Sequence, residues 1–130
     1  MPKTTITLTV ETVEERRVPP KNNKLGNMLV FDERVTNING IAGLKGRHSG
    51  FCVRVRRKGK EIWLCEAGWR LPGISNTPFK QGGQIHARGL LDFSSSTGTV
   101  AITGGTDDYL DASGQLQFNG QDYVFTVVTP

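Results

Sequence analysis

Residues 84–118 read QIHARGLLDFSSSTGTVAITGGTDDYLDASGQLQF, and the fold is decided in this stretch. Ile85, Ala87, Gly89 and Leu91 alternate with Gln84, His86, Arg88 and Leu90, the period-2 pattern of a strand whose two faces differ. A second strand follows at residues 99–103. Gly104, Gly105, Thr106, Asp107 and Asp108 then break the pattern with residues that accept positive φ or cap their own backbone, so the chain turns. Alternation resumes over residues 112–118, with Leu116 and Phe118 on one side and Gln115 and Gln117 on the other. The product is an antiparallel meander.

Working outward, residues 4–13 set Thr5, Thr7, Thr9 and Glu11 against Ile6, Leu8 and Val10, and Pro19-Pro20 ends this first strand. A short second strand is expected over residues 25–33. Gly40, Gly43 and Gly46 argue against a core strand at residues 36–47, which reads as a mobile connection at the barrel mouth. Residues 49–70 form a hairpin. If Lys58-Gly59 is its two-residue turn, facing residues have numbers summing to 117, so that Cys52 faces Cys65, Arg54 faces Trp63 and Arg56 faces Glu61. These fall on one face, and Phe51, Val53, Val55, Ile62 and Leu64 fall on the other. Residues 123–128 supply the last strand. Eight strands, starting near residues 4, 27, 49, 61, 84, 98, 112 and 122, predict an all-β chain closed into an antiparallel up-and-down β-barrel with a ligand-sized lumen.

A length of 130 residues suits a single domain spanning 1–130. No apolar run reaches membrane-spanning length, and Met1-Pro2-Lys3-Thr4 lacks the apolar region of a signal peptide, so a cytoplasmic location is expected, with no membrane partner. The net charge is +4, but the basic residues gather at Arg54, Arg56, Arg57, Lys58 and Lys60 without interleaved aromatics. That is a solvated hairpin and not a nucleic-acid surface. Two cysteines, with no His or Cys at zinc spacing, leave no metal site to expect.

The segment AITGGTDDYLDASGQLQF resembles the AITGG(S/T)G-x-(F/Y)-x-x-A-x-G-Q segment of plant allene oxide cyclases and, more loosely, the GGTG-x-(F/Y)-x-x-A-x-G of dirigent proteins. HARGLLDF is similar to a strand of bacterial polyketide cyclases with the same barrel, and LGNMLVF to the LGDLVPF of allene oxide cyclases. The resemblance implies roles for three positions: Glu11 as the lumen glutamate that stabilises developing positive charge, Pro20 as a pocket-lining proline, and Cys52 as the cysteine of the AGLCV strand. It also shows departures. Val13 and Glu33 stand where that family has water-holding asparagines, and Leu91 replaces a pocket tyrosine, which points to a relative with different chemistry.

Beside the resemblance, the residues keep plainer readings. Glu11 ends a Thr-rich strand and reads as an exposed carboxylate. Cys52 reads as a nucleophile, a small buried hydrophobe or half of a cross-strand disulfide. Trp63 and Trp69 share strand parity and wall a pocket or pack the rim. Ala87 and Gly89 share the Leu91 face and leave volume for a ligand, while His86 and Arg88 point outward. The resemblance turns the Cys52, Arg54 and Trp63 face inward, whereas burial alone favours the Phe51 face. Both hold if another subunit covers the apolar exterior, so a homo-oligomer, dimer or trimer, is expected.

Two functions follow as expectations. The first is a cofactor-independent cyclase or isomerase that folds an unsaturated, largely apolar, polyketide-like intermediate in the lumen, with Glu11 and Cys52 as catalytic residues. Pro20, Glu33, Arg54, Trp63, Trp69, Ala87, Gly89 and Leu91 bind the substrate, Arg54 holding an acidic or enolic group. The second is a non-catalytic barrel that binds a small molecule or directs stereochemistry as dirigent proteins do.

Overall fold

The computed structural model describes residues 4–18, 26–55, 61–120 and 122–130, with residues 12–18 described by their backbone alone. Eight antiparallel strands run β1 (Thr4–Val18), β2 (Met28–Thr36), β3 (Gly46–Arg54), β4 (Ile62–Pro72), β5 (Gly82–Asp92), β6 (Thr97–Gly105), β7 (Ser113–Asn119) and β8 (Asp122–Thr129). Each pairs with the next, and β1 also pairs with β8, so the barrel closes in simple sequence order. No helix among the described residues is long and apolar enough to cross a membrane.

Several features differ from the sequence reading, β2 among them, which lies three residues later than expected. β1 continues to Val18, because a bulge between Thr12 and Glu14 lets it leave β8 after Glu11↔Asp122 and go on pairing with β2 as far as Val18↔Val30. β3 starts at Gly46, so Arg47 and His48 belong to the hairpin. Residues 37–45 lie at the end of the barrel away from the mouth. A short 3-10 turn there, entered through Asn37 at φ 49° and Asn39 at φ 55°, drives Ile38 into the core.

The β3–β4 register is the expected one, running from Arg47↔Arg70 through Cys52↔Cys65 to Arg54↔Trp63. The Lys58-Gly59 turn and Arg56 lie outside the described residues. Cys52, Arg54 and Trp63 are buried, while Phe51 and Val55 are exposed, so the face implied by the resemblance is the inner one.

The barrel's two ends are built differently. At one end the connections β2–β3, β4–β5 and β6–β7 send Ile38, Ile74, Phe79, Tyr109 and Ala112 into a cluster with Leu8, Val35, Leu71, Ile85, Phe125 and Val127. Several polar groups of these connections are paired within the plug, as burial demands. Thr77 Oγ1 donates to the Ile74 carbonyl and accepts from the Phe79 N–H, and the Asp108 carboxylate accepts the Gln81 and Gly82 N–H groups at 2.8 and 2.9 Å. This end is closed. At the other end a cavity opens, bordered by Phe93, Ser95 and Ser96 after β5 and by Gly120 after β7.

Candidate active site in the barrel lumen

The ladders stack the inward side chains of β2, β3, β4 and β5 in layers two residues apart, about 7 Å along each strand. Glu33, His48, Trp69 and Ile85 form one layer, directly above the closed end. Phe31, Gly50, Ala67 and Ala87 form the next. Three neighbouring strands there carry almost no side chain, and a cavity of about 340 Å³ opens, bounded across the barrel by Val100, Leu116 and Phe118. Gly50 is required for more than volume: a Cβ there would lie 2.8 Å from Ala67 Cα, so glycine lets β3 and β4 close up. Above lie Leu29, Cys52, Cys65 and Gly89, and at the rim Arg54, Trp63 and Leu91.

The chemistry is concentrated at the cavity floor. His48 Nδ1 lies 3.2 Å from Glu33 Oε1, and both side chains are about 95% or more removed from solvent. Tyr123 OH approaches the same nitrogen at 3.4 Å. The imidazole stacks on Trp69 with ring centres 4.2 Å apart and planes within 4°, and Tyr123 meets both rings edge-on. A buried carboxylate is costly unless it is paired, and the imidazole supplies that pairing. The Nδ1–H tautomer donates to the Glu33 carboxylate and leaves the ring's lone pair on Nε2. The arrangement is that of a carboxylate orienting an imidazole for proton transfer.

Of the candidate residues, Glu33, Trp69, Ala87 and Leu91 line this cavity. Several other candidates stand elsewhere. Glu11 is exposed on the outer face, where its carboxylate accepts from Asn37 Nδ2 at 2.8 Å; the alternation with Val10 and Leu8 that buries those residues turns Glu11 outward. Cys52 lines the cavity but is bonded to Cys65, so it offers no thiolate. Arg54 is buried and committed to Glu61 at 3.0 Å, and Glu61 also accepts from Trp63 Nε1. That ion pair engages the Arg54 guanidinium with a carboxylate of the protein itself. Trp63 stacks on Phe93 at the rim, with centres 5.1 Å apart, and Phe93 reaches the cavity. Gly89 faces inward without lining the cavity: a Cβ there would meet Val100 Cγ1 at 2.7 Å, so that volume is already filled. Pro20 lies outside the described residues. His86 and Arg88 point outward, Arg88 toward Glu66 at 3.7 Å.

His48 and Tyr123 were not anticipated. A signal existed for His48, because 48 and 69 also sum to 117, which places it beside Trp69 on the inner face.

The closed eight-stranded barrel with its lumen is a fold that this chain shares with proteins of several functions. Solved structures share it along the whole chain. A pyocyanin demethylase matches at 23% identity and a TM-score of 0.71 over 95% of this chain and 99% of its own. AbnU, an exo-specific intermolecular Diels-Alderase, matches at 14% identity and 0.71 over 99% and 100%. The pterocarpan synthase dirigent protein GePTS1 matches at 15% identity and 0.61 over 98% and 85%. At these identities the likeness is one of fold. No protein-family model matches the chain, and no curated protein matches it in sequence.

Proposed function

We propose that the barrel is a cofactor-independent cyclase or isomerase that folds an unsaturated, largely apolar, polyketide-like intermediate in its lumen and promotes ring formation. The observation that carries this reading is the Glu33–His48 pair, buried at the floor of a cavity whose middle layer is emptied by Gly50, Ala67 and Ala87. Apolar walls select the compact conformer of a flexible chain and exclude water, so that ordering is completed before the reaction. His48 Nε2 removes or returns a proton, and Glu33 orients the ring and stabilises the imidazolium. This reading moves catalysis from Glu11 and Cys52 to Glu33 and His48. The fold-sharing Diels-Alderase, an enzyme of bond formation, supports the reading.

Native mass spectrometry of the purified protein, followed by assay of the co-purified compound and its unsaturated ketone analogues, tests it. Solvent-deuterium exchange beside the carbonyl and ring closure should both fall by a factor of about 10²–10⁴ in His48→Gln, with affinity little changed. The alternative is a non-catalytic, stereo-directing barrel, favoured by the fold shared with GePTS1. Tight binding without turnover, equal in wild type and variant, would establish that alternative.

The exterior supports a homo-oligomer as part of the same proposal. Met28, Val53, Leu64 and Leu90 align across β2 to β5 on the outer face, beside Val30 and Phe51, and Leu90 is 61% exposed. A contiguous apolar row of this kind marks a contact surface, here for a second copy. Light scattering at micromolar concentration should give a multimer that Leu90→Glu dissociates.

A further inference from the structure

We propose that the Cys52–Cys65 disulfide is a redox site coupled to occupancy of the lumen: a bound ligand shields the bond from thiols, and the intact bond holds the cavity in its ligand-binding shape. This requires only that the cavity be occupied, not that the occupant react, so it stands or falls apart from the catalytic reading.

The two cysteines are directly opposed on β3 and β4, both point inward, and both line the cavity. Their layer lies between the small-residue layer of Gly50, Ala67 and Ala87 and the rim formed by Arg54 and Trp63. They are only 3% and 6% exposed, and both border the cavity. A small thiol therefore reaches the sulfurs through the lumen and needs the space that a ligand fills. A bond serving only to staple the hairpin would do so equally well from the outer face, where Phe51 and Val53 stand.

Reduction by a low-molecular-weight thiol proceeds in two exchanges. A thiolate attacks one sulfur, forming a mixed disulfide and releasing the other cysteine as thiolate. A second thiolate then displaces the remaining cysteine, leaving the oxidised small-molecule disulfide and two cysteine thiolates that take up two protons. The sulfurs move from bonding to van der Waals contact, and two side-chain rotors are freed in the cavity wall. A ligand must order those rotors again to bind the reduced form, which costs affinity. Linkage then requires that the ligand oppose reduction by the same factor.

The probe is N-phenyl-1-naphthylamine, a neutral apolar fluorophore. Reduction by dithiothreitol, followed by alkylation and intact mass, should slow at least tenfold at saturating probe, in proportion to the occupied fraction. The wild-type chain held reduced in excess dithiothreitol should bind the probe about tenfold more weakly than the oxidised chain. In redox buffers that factor appears as a shift of about 30 mV toward more reducing potential. The Cys52→Ser/Cys65→Ser double variant should bind like the reduced chain, and the wild-type arms decide the matter if that variant fails to fold. An unchanged reduction rate at saturating probe, equal affinities of the oxidised and reduced chains, or failure of the oxidised chain to bind the probe would each overturn the proposal.

Discussion

Strand β5 crosses from one half of the barrel to the other within three residues. Ile85 is wholly buried in the closed-end cluster, whereas Ala87, the next inward residue, borders open space. The same alternation thus serves packing in one half and vacancy in the other, and only side-chain size distinguishes them. In the closed half, connections from three strand pairs fold inward to fill the barrel with Ile38, Ile74, Phe79 and Tyr109. In the open half, glycine and alanine leave the lumen empty, and a carboxylate–imidazole pair faces the space. The lesson is a division of labour: one half supplies the packing that lets the other carry a cavity and a buried carboxylate–imidazole pair.

The largest effect should come from the closed half. Phe79→Ala removes a ring that is 1% exposed and packs 4.5 Å from Tyr109, and it should cost about 3–5 kcal/mol, since the surrounding barrel relaxes only partly. A urea midpoint measures it, and probe affinity of the folded fraction should hold. A loss below about 1 kcal/mol would break the comparison by showing that this end is not a tightly packed plug.

Ala87→Phe makes the opposite experiment in the open half. The ring enters existing space, so N-phenyl-1-naphthylamine binding should weaken at least a hundredfold while stability changes by less than about 1.5 kcal/mol. Retained binding would show that the ligand sits elsewhere. Gly89→Phe, one layer up, sharpens the contrast, because Val100 already occupies that volume and overpacking should destabilise the fold by about 1–3 kcal/mol.

How much of this the chain declares in one dimension follows the same division. Strand alternation is local, so all eight strands, the β3–β4 register and the shared face of Ala87 and Leu91 are legible, and the resemblance at Leu91 turns that face inward. Glu11 was legible too: its own alternation with Val10 turned it outward, and only the resemblance placed it in the lumen. The Glu33–His48 pair was half visible. Glu33 stands out as a departure from the family pattern, but His48 lies at the edge of a glycine-rich stretch that reads as connection, which hides its inward parity. What escaped altogether depends on chain-distant contacts. Ile38, Ile74 and Phe79 have no periodicity to mark them as a plug, and the filling of the Gly89 position by Val100 depends on register past the His86/Ala87 bulge.

The smallest expected effect is at Tyr109, and it tests whether the closed half tolerates an imperfect polar group. The hydroxyl is buried without a hydrogen-bond partner among the described residues, so removing it restores no lost contact and relieves a desolvated dipole. Tyr109→Phe should leave stability at neutral pH unchanged or raised by up to about 1 kcal/mol. The pH dependence gives a sharper readout. Burial, aided by the charge of Asp108, holds the phenol well above its ordinary value of 10.0. The folded state therefore keeps a proton that the unfolded chain releases above that pH. With more protons bound in the folded state, the contribution is complete below pH 10 and is lost as pH rises through the alkaline range. Urea melts of wild type between pH 9 and pH 11.5, on either side of the ordinary tyrosine value of 10.0, should decline more steeply than those of Tyr109→Phe. Parallel slopes would mean that the phenol reaches water in the folded state, and the closed half would then be less sealed than its packing implies.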